Sequence, residues 1–170
     1  MNFKIPESLQ TNRLVLRAFR NEDWRELHHY YSDYECMKYT TGRTLDEGET
    51  WRAMASMVGH WQLHGYGPYG IELKDTNQLI GICGLWYPND WPETEIKWGL
   101  VRRHWGKGYA KESAIAVKNM IPEYLPNMVP ISLIFFGNEN SINLALSLNA
   151  KFEKEIEFRG QRALIYRHTY

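Results

Sequence analysis

The segment Arg103 to Ser113, ArgHisTrpGlyLysGlyTyrAlaLysGluSer, carries the clearest chemistry in the chain. Gly106 and Gly108 have no Cβ, so their backbone N–H groups can turn inward and approach an anion closely. A helix that opens immediately afterwards adds its own unpaired N–H groups and the positive end of its dipole. This chemistry suits a pyrophosphate. Two common phosphate motifs are excluded. A P-loop requires GxxxxGK followed by Ser or Thr, but the residue five before Gly106 is Val101, and Lys107 is followed by Gly108. A dinucleotide fingerprint requires Gly or Ala at its sixth position, which here is Lys111. What remains is Arg103-x-x-Gly106-x-Gly108, with Ala110 and Lys111 after it; a strand-to-helix turn with two convenient glycines is the alternative at this point.

The elements around the turn fit that use. From Glu95 to Val101, Ile96, Trp98 and Leu100 alternate with Lys97 and Gly99, the period of an extended segment. After about Lys107, Ala110, Ala114, Val117 and Ile121 recur on one face of a helix that Pro122 and Pro126 are expected to close. Elsewhere the pattern predicts a strand at Arg13 to Ala18, a helix at Glu22 to Ser32, and a helix at Asp46 to His64 with a stripe of Trp51, Met54, Val58 and Trp61. Strands follow at Tyr69 to Lys74 and Gln78 to Tyr87, joined by a hairpin turn at Asp75 to Asn77. Pro130 to Phe136 reads as a strand leading into a helix capped by Asn138 that buries Ile142, Ala145 and Leu148. Two last strands, Phe152 to Phe158 and Gln161 to Thr169, flank Arg159 and Gly160. A mixed α/β sheet with helices on both faces is the natural packing.

Composition bounds the rest. The 170 residues make about one domain, and a 44% hydrophobic content with seven Trp and eleven Tyr supplies a single core. Lys plus Arg and Asp plus Glu are both 20, so no net field draws the chain to nucleic acid or an anionic membrane. Nucleic acid and membrane are therefore not expected as partners. Met1 to Glu7 lacks the apolar run of a signal peptide and no segment has the ~20 apolar residues of a span, so a cytoplasmic location is expected. Cys36 and Cys83 are isolated thiols, expected reduced and partly buried. His60 and His64 are four apart on a helix, but there is no HExxH and no third ligand, so no metal is expected.

The loop pattern resembles the coenzyme A pyrophosphate loop of the GNAT superfamily of N-acetyltransferases. Two further segments are similar to its ribosomal-protein alanine acetyltransferase branch: Asn138-x-x-Ser141 opening the late helix, and Thr11 to Trp24 as a first strand with its capped helix. The resemblance covers roughly residues 10 to 168. It implies a mostly antiparallel sheet of about seven strands, splayed between the fourth and fifth to hold acetyl-CoA, and an acyltransferase moving acetyl to a primary amine by direct attack in a ternary complex. An extended ligand with amides can pair with the unfilled sheet edge. Gly99 then reads as a bulge or a close backbone approach, with the Leu100 and Val101 amides on the thioester carbonyl; making room for a neighbour such as Trp86 is the alternative. Arg103, Trp105, Gly106, Lys107, Gly108, Tyr109 and Ala110 would hold the diphosphate, Lys111 could reach the 3′-phosphate, and Asn138 and Ser141 would meet the pantetheine.

Glu95 is the candidate base, through a water, with Glu93 one strand period away as its rival and a solvated edge carboxylate as the alternative. The family's usual acid, a Tyr seven residues after Asn138, is replaced by Ala145, so Ser141 is the candidate donor to the leaving sulfur; otherwise it only supports the cap. Asn149 stands where the branch has Gly, as the next-best residue for a left-handed helix end. The favoured acceptor is a protein or peptide N-terminus. Small amines such as polyamines or antibiotics remain open, as does a non-catalytic acyl-CoA binding module, and the family allows a homodimer. The acceptor pocket is expected from Tyr30, Tyr31, Tyr34, Tyr39, Trp51, Trp61, Trp86, Tyr87 and Trp91.

Overall fold

The computed structural model describes residues 3–170; Met1 and Asn2, where the reading of the N-terminal segment begins, lie outside them. The order is β1 (Ser8–Gln10), β2 (Leu14–Arg17), a 3-10 turn (Asn21–Asp23), α1 (Trp24–Tyr31), α2 (Tyr34–Met37), α3 (Glu47–His64), β3 (Pro68–Leu73), β4 (Leu79–Trp86) and β5 (Glu95–Leu100). A second 3-10 turn (Arg102–His104) leads to α4 (Tyr109–Tyr124), β6 (Ile131–Phe135), α5 (Glu139–Ser147), β7 (Lys151–Phe158) and β8 (Gln161–Arg167).

The strands make one sheet in the order β1-β2-β3-β4-β5-β6-β8-β7. Every neighbouring pair is antiparallel except β5–β6. The eighth strand, beyond the seven expected, is the short edge strand β1, so the expected splay falls between β5 and β6. Those two strands are in register only at Glu95↔Ile131, whereas β4 and β5 stay paired from Trp86↔Glu95 to Gly81↔Leu100.

Where parallel strands diverge, backbone groups on the facing edges need other partners. Ile131 N–H donates to the Thr94 carbonyl at 3.0 Å. Above it, the Ser132 hydroxyl donates to the Ile96 carbonyl at 3.2 Å, and Leu133 N–H donates to the Glu95 carboxylate at 3.2 Å. His168, fully buried, places Nε2 2.9 Å from Ser132 Oγ. Because the Ser132 proton goes to Ile96, His168 is the donor, which fixes the neutral Nε2–H tautomer and leaves Nδ1 buried without a partner.

Alternation along β5 sends Trp98 and Leu100 to the face covered by α4, with Leu16, Ile71, Ile96, Val117 and Ile121. α1 and α3 cover the other face with Leu27, Met54, Met57 and Ile82. Arg17 ties β2 to β3 and to the start of α1 through buried bonds to Glu72 and Asp23, both at 2.7 Å.

Several boundaries differ from the sequence pattern. The helix expected from Glu22 begins as a 3-10 turn, and α2 adds a short helix where the pattern predicts none. α4 runs through Pro122 to Tyr124, because buried Met120 and Ile121 anchor its last turns and one missing N–H costs a single helix bond. The stripe of α3 is rotated: Trp51 and Val58 are exposed, while Thr50 and His60 turn inward. Both are satisfied there, Thr50 Oγ1 by His28 at 3.0 Å and His60 by two backbone groups. α5 ends as expected, with Asn149 left-handed at φ 61°. Both cysteines are buried and free, and burial pushes the Cys83 thiol up to about 12. Among the described residues, no helix is long and apolar enough to cross a membrane.

Burial with no partner for Nδ1 lowers the His168 pKa from 6.5 to about 4. Since the folded value is depressed, the unfolded chain takes up the proton first as pH falls. The contribution is complete above about 6.5 and is lost progressively toward pH about 4. His168→Gln keeps the donor to Ser132 without the titration. Urea unfolding should show the parent chain losing roughly 2 kcal/mol more than the variant between about pH 7 and 4.5; parallel pH profiles would remove His168 as the cause.

Candidate functional site

The turn after β5 is shaped by its glycines and held from a distance. Gly106 and Gly108 are left-handed, φ 72° and 82°, and Gly108 is the N-cap of α4. Arg13 at the edge of β2 reaches across 94 residues to donate to the Lys107 carbonyl at 2.9 Å. Its guanidinium also binds Glu112 at 2.7 Å and lies 4.4 Å from the Tyr109 ring centre. Thr11 Oγ and Arg13 N–H bind the same Glu112 carboxylate at 2.6 and 2.8 Å. Trp105 Nε1–H donates to the Leu100 carbonyl at 2.8 Å, securing the other side of the turn. The loop is thus fixed before any ligand arrives.

Val101 N–H is spent on the Ile80 carbonyl at 2.9 Å. The alternation of an antiparallel ladder then directs the Trp98 and Leu100 N–H groups away from β4, toward β6. Of the two amides expected at the thioester, Leu100 is therefore available and Val101 is not. The one-to-one β4–β5 register through Gly99 excludes a bulge on that side. A Cβ at Gly99 would lie 2.5 Å from the Tyr30 hydroxyl, so the glycine admits Tyr30 rather than Trp86.

At the open end of β5, between the glycine turn with the start of α4 and the start of α5, lies a cavity of about 560 Å³. Leu100, Trp105, Gly106, Gly108, Tyr109, Ala110, Asn138 and Ser141 line it, as does Lys111. Arg103 and Lys107 do not: Arg103 reaches Glu26 on α1 at 3.4 Å, and the Lys107 carbonyl serves Arg13. At the far wall, Asn138 Oδ1 accepts the Ser141 N–H at 3.3 Å and caps α5. Trp98 Nε1–H donates to Ser141 Oγ at 3.3 Å, which leaves the serine proton free to point into the cavity.

A second cavity of about 180 Å³ opens beside the first and contains Glu95. Tyr30, Tyr39, Thr40, Trp98, Asn138 and Ser141 line both. Glu95 is 6% exposed, and burial raises its pKa, opposed by nearby Lys97 and by the Leu133 N–H. Trp91 approaches the carboxyl without reaching hydrogen-bond geometry. Its rival Glu93 is excluded from the cavity and clasped by Arg167 at 2.6 and 2.9 Å, which lowers its pKa.

A family model described as the acetyltransferase (GNAT) domain matches residues 13–151. The chain belongs to the GNAT acetyltransferase family. An uncharacterized N-acetyltransferase p20 of Bacillus licheniformis is 36% identical over 109 residues, 63% of this chain and 61% of that protein. An acetyltransferase of Agrobacterium tumefaciens strain C58 superposes with a TM-score of 0.87 at 26% identity, over all of this chain and 98% of its own. The ribosomal L7/L12 α-N-protein acetyltransferase RimL, solved with coenzyme A, shares the fold at TM-score 0.75 and 17% identity, over 96% of both chains.

In this GNAT domain, four of the nine aromatics expected around the acceptor, Tyr30, Tyr31, Tyr39 and Trp91, line the smaller cavity. Trp61 belongs to the core, Trp51 and Tyr34 are exposed, and Trp86 and Tyr87 pack with His60 and His64. His60 has both ring nitrogens committed, Nδ1 to the Tyr66 carbonyl at 2.8 Å and Nε2 to the Tyr87 N–H at 2.9 Å, so it cannot ligate a metal without losing them. The sequence pattern missed that Arg13 braces the turn and that Lys97 lines the smaller cavity, each being hidden inside an ordinary strand alternation. Gly108→Asp places a side chain on a left-handed backbone and a negative charge at the turn. Acetyl-CoA affinity should fall roughly tenfold or more by calorimetry. Arg13→Ala, which loosens the turn without touching its amides, should cost about two- to tenfold. Unchanged affinity in both would make the turn merely structural.

Proposed function

We propose that this GNAT domain transfers the acetyl group of acetyl-CoA to a primary amine, favouring the N-terminus of a peptide or protein. The observation that carries the reading is the meeting of the two cavities at Trp98, Asn138 and Ser141, with the glycine turn at the end of one and Glu95 in the other. The diphosphate rests on the turn and the α4 N-terminus. The pantetheine amides pair with the free edge of β5. Leu100 N–H donates to the thioester carbonyl and to the oxyanion that develops on it.

The amine nitrogen attacks the carbonyl carbon from the smaller cavity, and the carbon–sulfur bond breaks. Glu95 takes the amine proton, directly or through one water; burial raises its basicity toward the working pH. Ser141 donates a hydrogen bond to the departing sulfur. Ala145, wholly buried in α5, offers no proton, so the thiolate leaves largely unprotonated. A peptide α-amine, pKa about 8, is partly neutral near pH 7, whereas a lysine amine, pKa about 10.4, is almost wholly protonated. The small volume beside Glu95 admits a chain end, and a small amine acceptor fits the same space.

Glu95→Gln should lower kcat about 100-fold or more, and Ser141→Ala about tenfold, with acetyl-CoA affinity little changed. Coenzyme A release against N-terminal peptides and small amines measures both. Full rates in the two variants would overturn these roles, and tight coenzyme binding without release against any amine would make the protein a binding module.

A further inference from the structure

Three charged side chains line the smaller cavity: Glu95, Lys97 and Arg159. Arg159 already has a partner, since Asp90 accepts from its guanidinium at 2.5 and 3.0 Å. Glu95 holds the Leu133 N–H. Lys97 is different. Its residue is half-buried, its ammonium sits 4.7 Å from the Trp86 ring centre, and among the described residues it makes no ion pair or hydrogen bond. Glu95, two residues along the same strand face, is not within ion-pair distance. Beside it, Trp91 lines the cavity and turns its buried indole N–H toward the Glu95 carboxyl. The cavity therefore presents one cation, Lys97, that no anion among the described residues holds.

Such groups are costly to bury unless a ligand completes them. An acceptor bearing a second cation, such as a polyamine, would bring like charge against Lys97. An acceptor with a carboxylate next to its amine would pair with Lys97 while its nitrogen faced Glu95. Burial also lowers the Lys97 pKa, and an arriving anion would restore the ammonium form.

We infer that Lys97 selects the acceptor, holding a carboxylate that lies beside the reacting amine while the amine is presented to Glu95. The inference rests on the transferase reading for the placement of the amine, though the anion subsite is a property of the cavity itself. The carboxylate can be the α-carboxylate of a free amino acid or the acidic side chain of an N-terminal residue; the shared chemistry is an amine with an adjacent anion.

Calorimetry on the coenzyme A-saturated protein separates these sources without needing turnover. One pair of probes is phenylalanine and phenylalaninamide; the other is the peptides Asp-Ala-Ala and Asn-Ala-Ala. Each preference for the acid over the amide is compared between the parent protein, Lys97→Met and Lys97→Arg. Taking the ratio between proteins cancels the different basicity of acid and amide amines. Lys97→Met should reduce the preference roughly tenfold or more in at least one pair, and Lys97→Arg should keep most of it. A loss confined to the first pair identifies the α-carboxylate, and one confined to the second an acidic first residue. An unchanged preference in Lys97→Met, with coenzyme A affinity intact, overturns the proposal, as does failure of both pairs to bind. A parallel coenzyme A release assay keeps the two readings apart: binding preference without release against any probe would sink the transferase reading and leave the anion subsite standing.

Discussion

The site depends on a parallel strand pair that is joined at one point. β5 and β6 share the register Glu95↔Ile131 and then separate. A sheet edge opened inside a protein exposes donors and acceptors that cost free energy if left unpaired. Here side chains close the apex: Ser132 on the Ile96 carbonyl, Glu95 on the Leu133 amide, and His168 behind Ser132. Farther up, the Trp98 and Leu100 amides stay free because β4 uses the opposite edge of β5. The apex must be satisfied for the rest of the edge to remain open.

This arrangement gives Glu95 two connected duties. Its carboxylate stitches the apex and lies at the floor of the smaller cavity, which is why it is buried although it carries charge. Burial raises its pKa, while the backbone donor and Lys97 pull it down. Acid–base sites and structural ion-pair networks both show such a balance, and here the cavity beside the carboxyl sets Glu95 apart from a closed ion pair. Glu93, one strand period away, has the opposite fate because Arg167 holds it outside the cavity and keeps it charged.

The glycine turn is fixed by a similar division between local and distant forces. Its left-handed glycines and the start of α4 present the amides, but the network of Thr11, Arg13, Glu112 and Tyr109 holds the turn against β2. A binding loop that is ordered beforehand loses less conformational freedom when its ligand arrives. Arg103 pairs with Glu26, and neither it nor Lys107 lines the larger cavity, so under the proposed function the turn would attract an anion chiefly through backbone dipoles, with Lys111 on the cavity wall.

The sequence by itself determined what depends on neighbouring residues: the two-glycine turn between strand and helix, the Asn138 cap, the left-handed end at Asn149, and most of the alternation that forms the sheet. These follow from steric limits on φ and from short-range hydrogen bonds. Only the tertiary structure decided which of Leu100 and Val101 has a free amide, which of Glu93 and Glu95 enters a cavity, and that Gly99 makes room for Tyr30. It also rotated the buried face of α3 and carried α4 past Pro122. Each outcome is set by a partner far along the chain: Ile80 for Val101, Arg167 for Glu93, Tyr30 for Gly99. Strand alternation gives the face on which a side chain lies, but not what the opposing element brings to meet it.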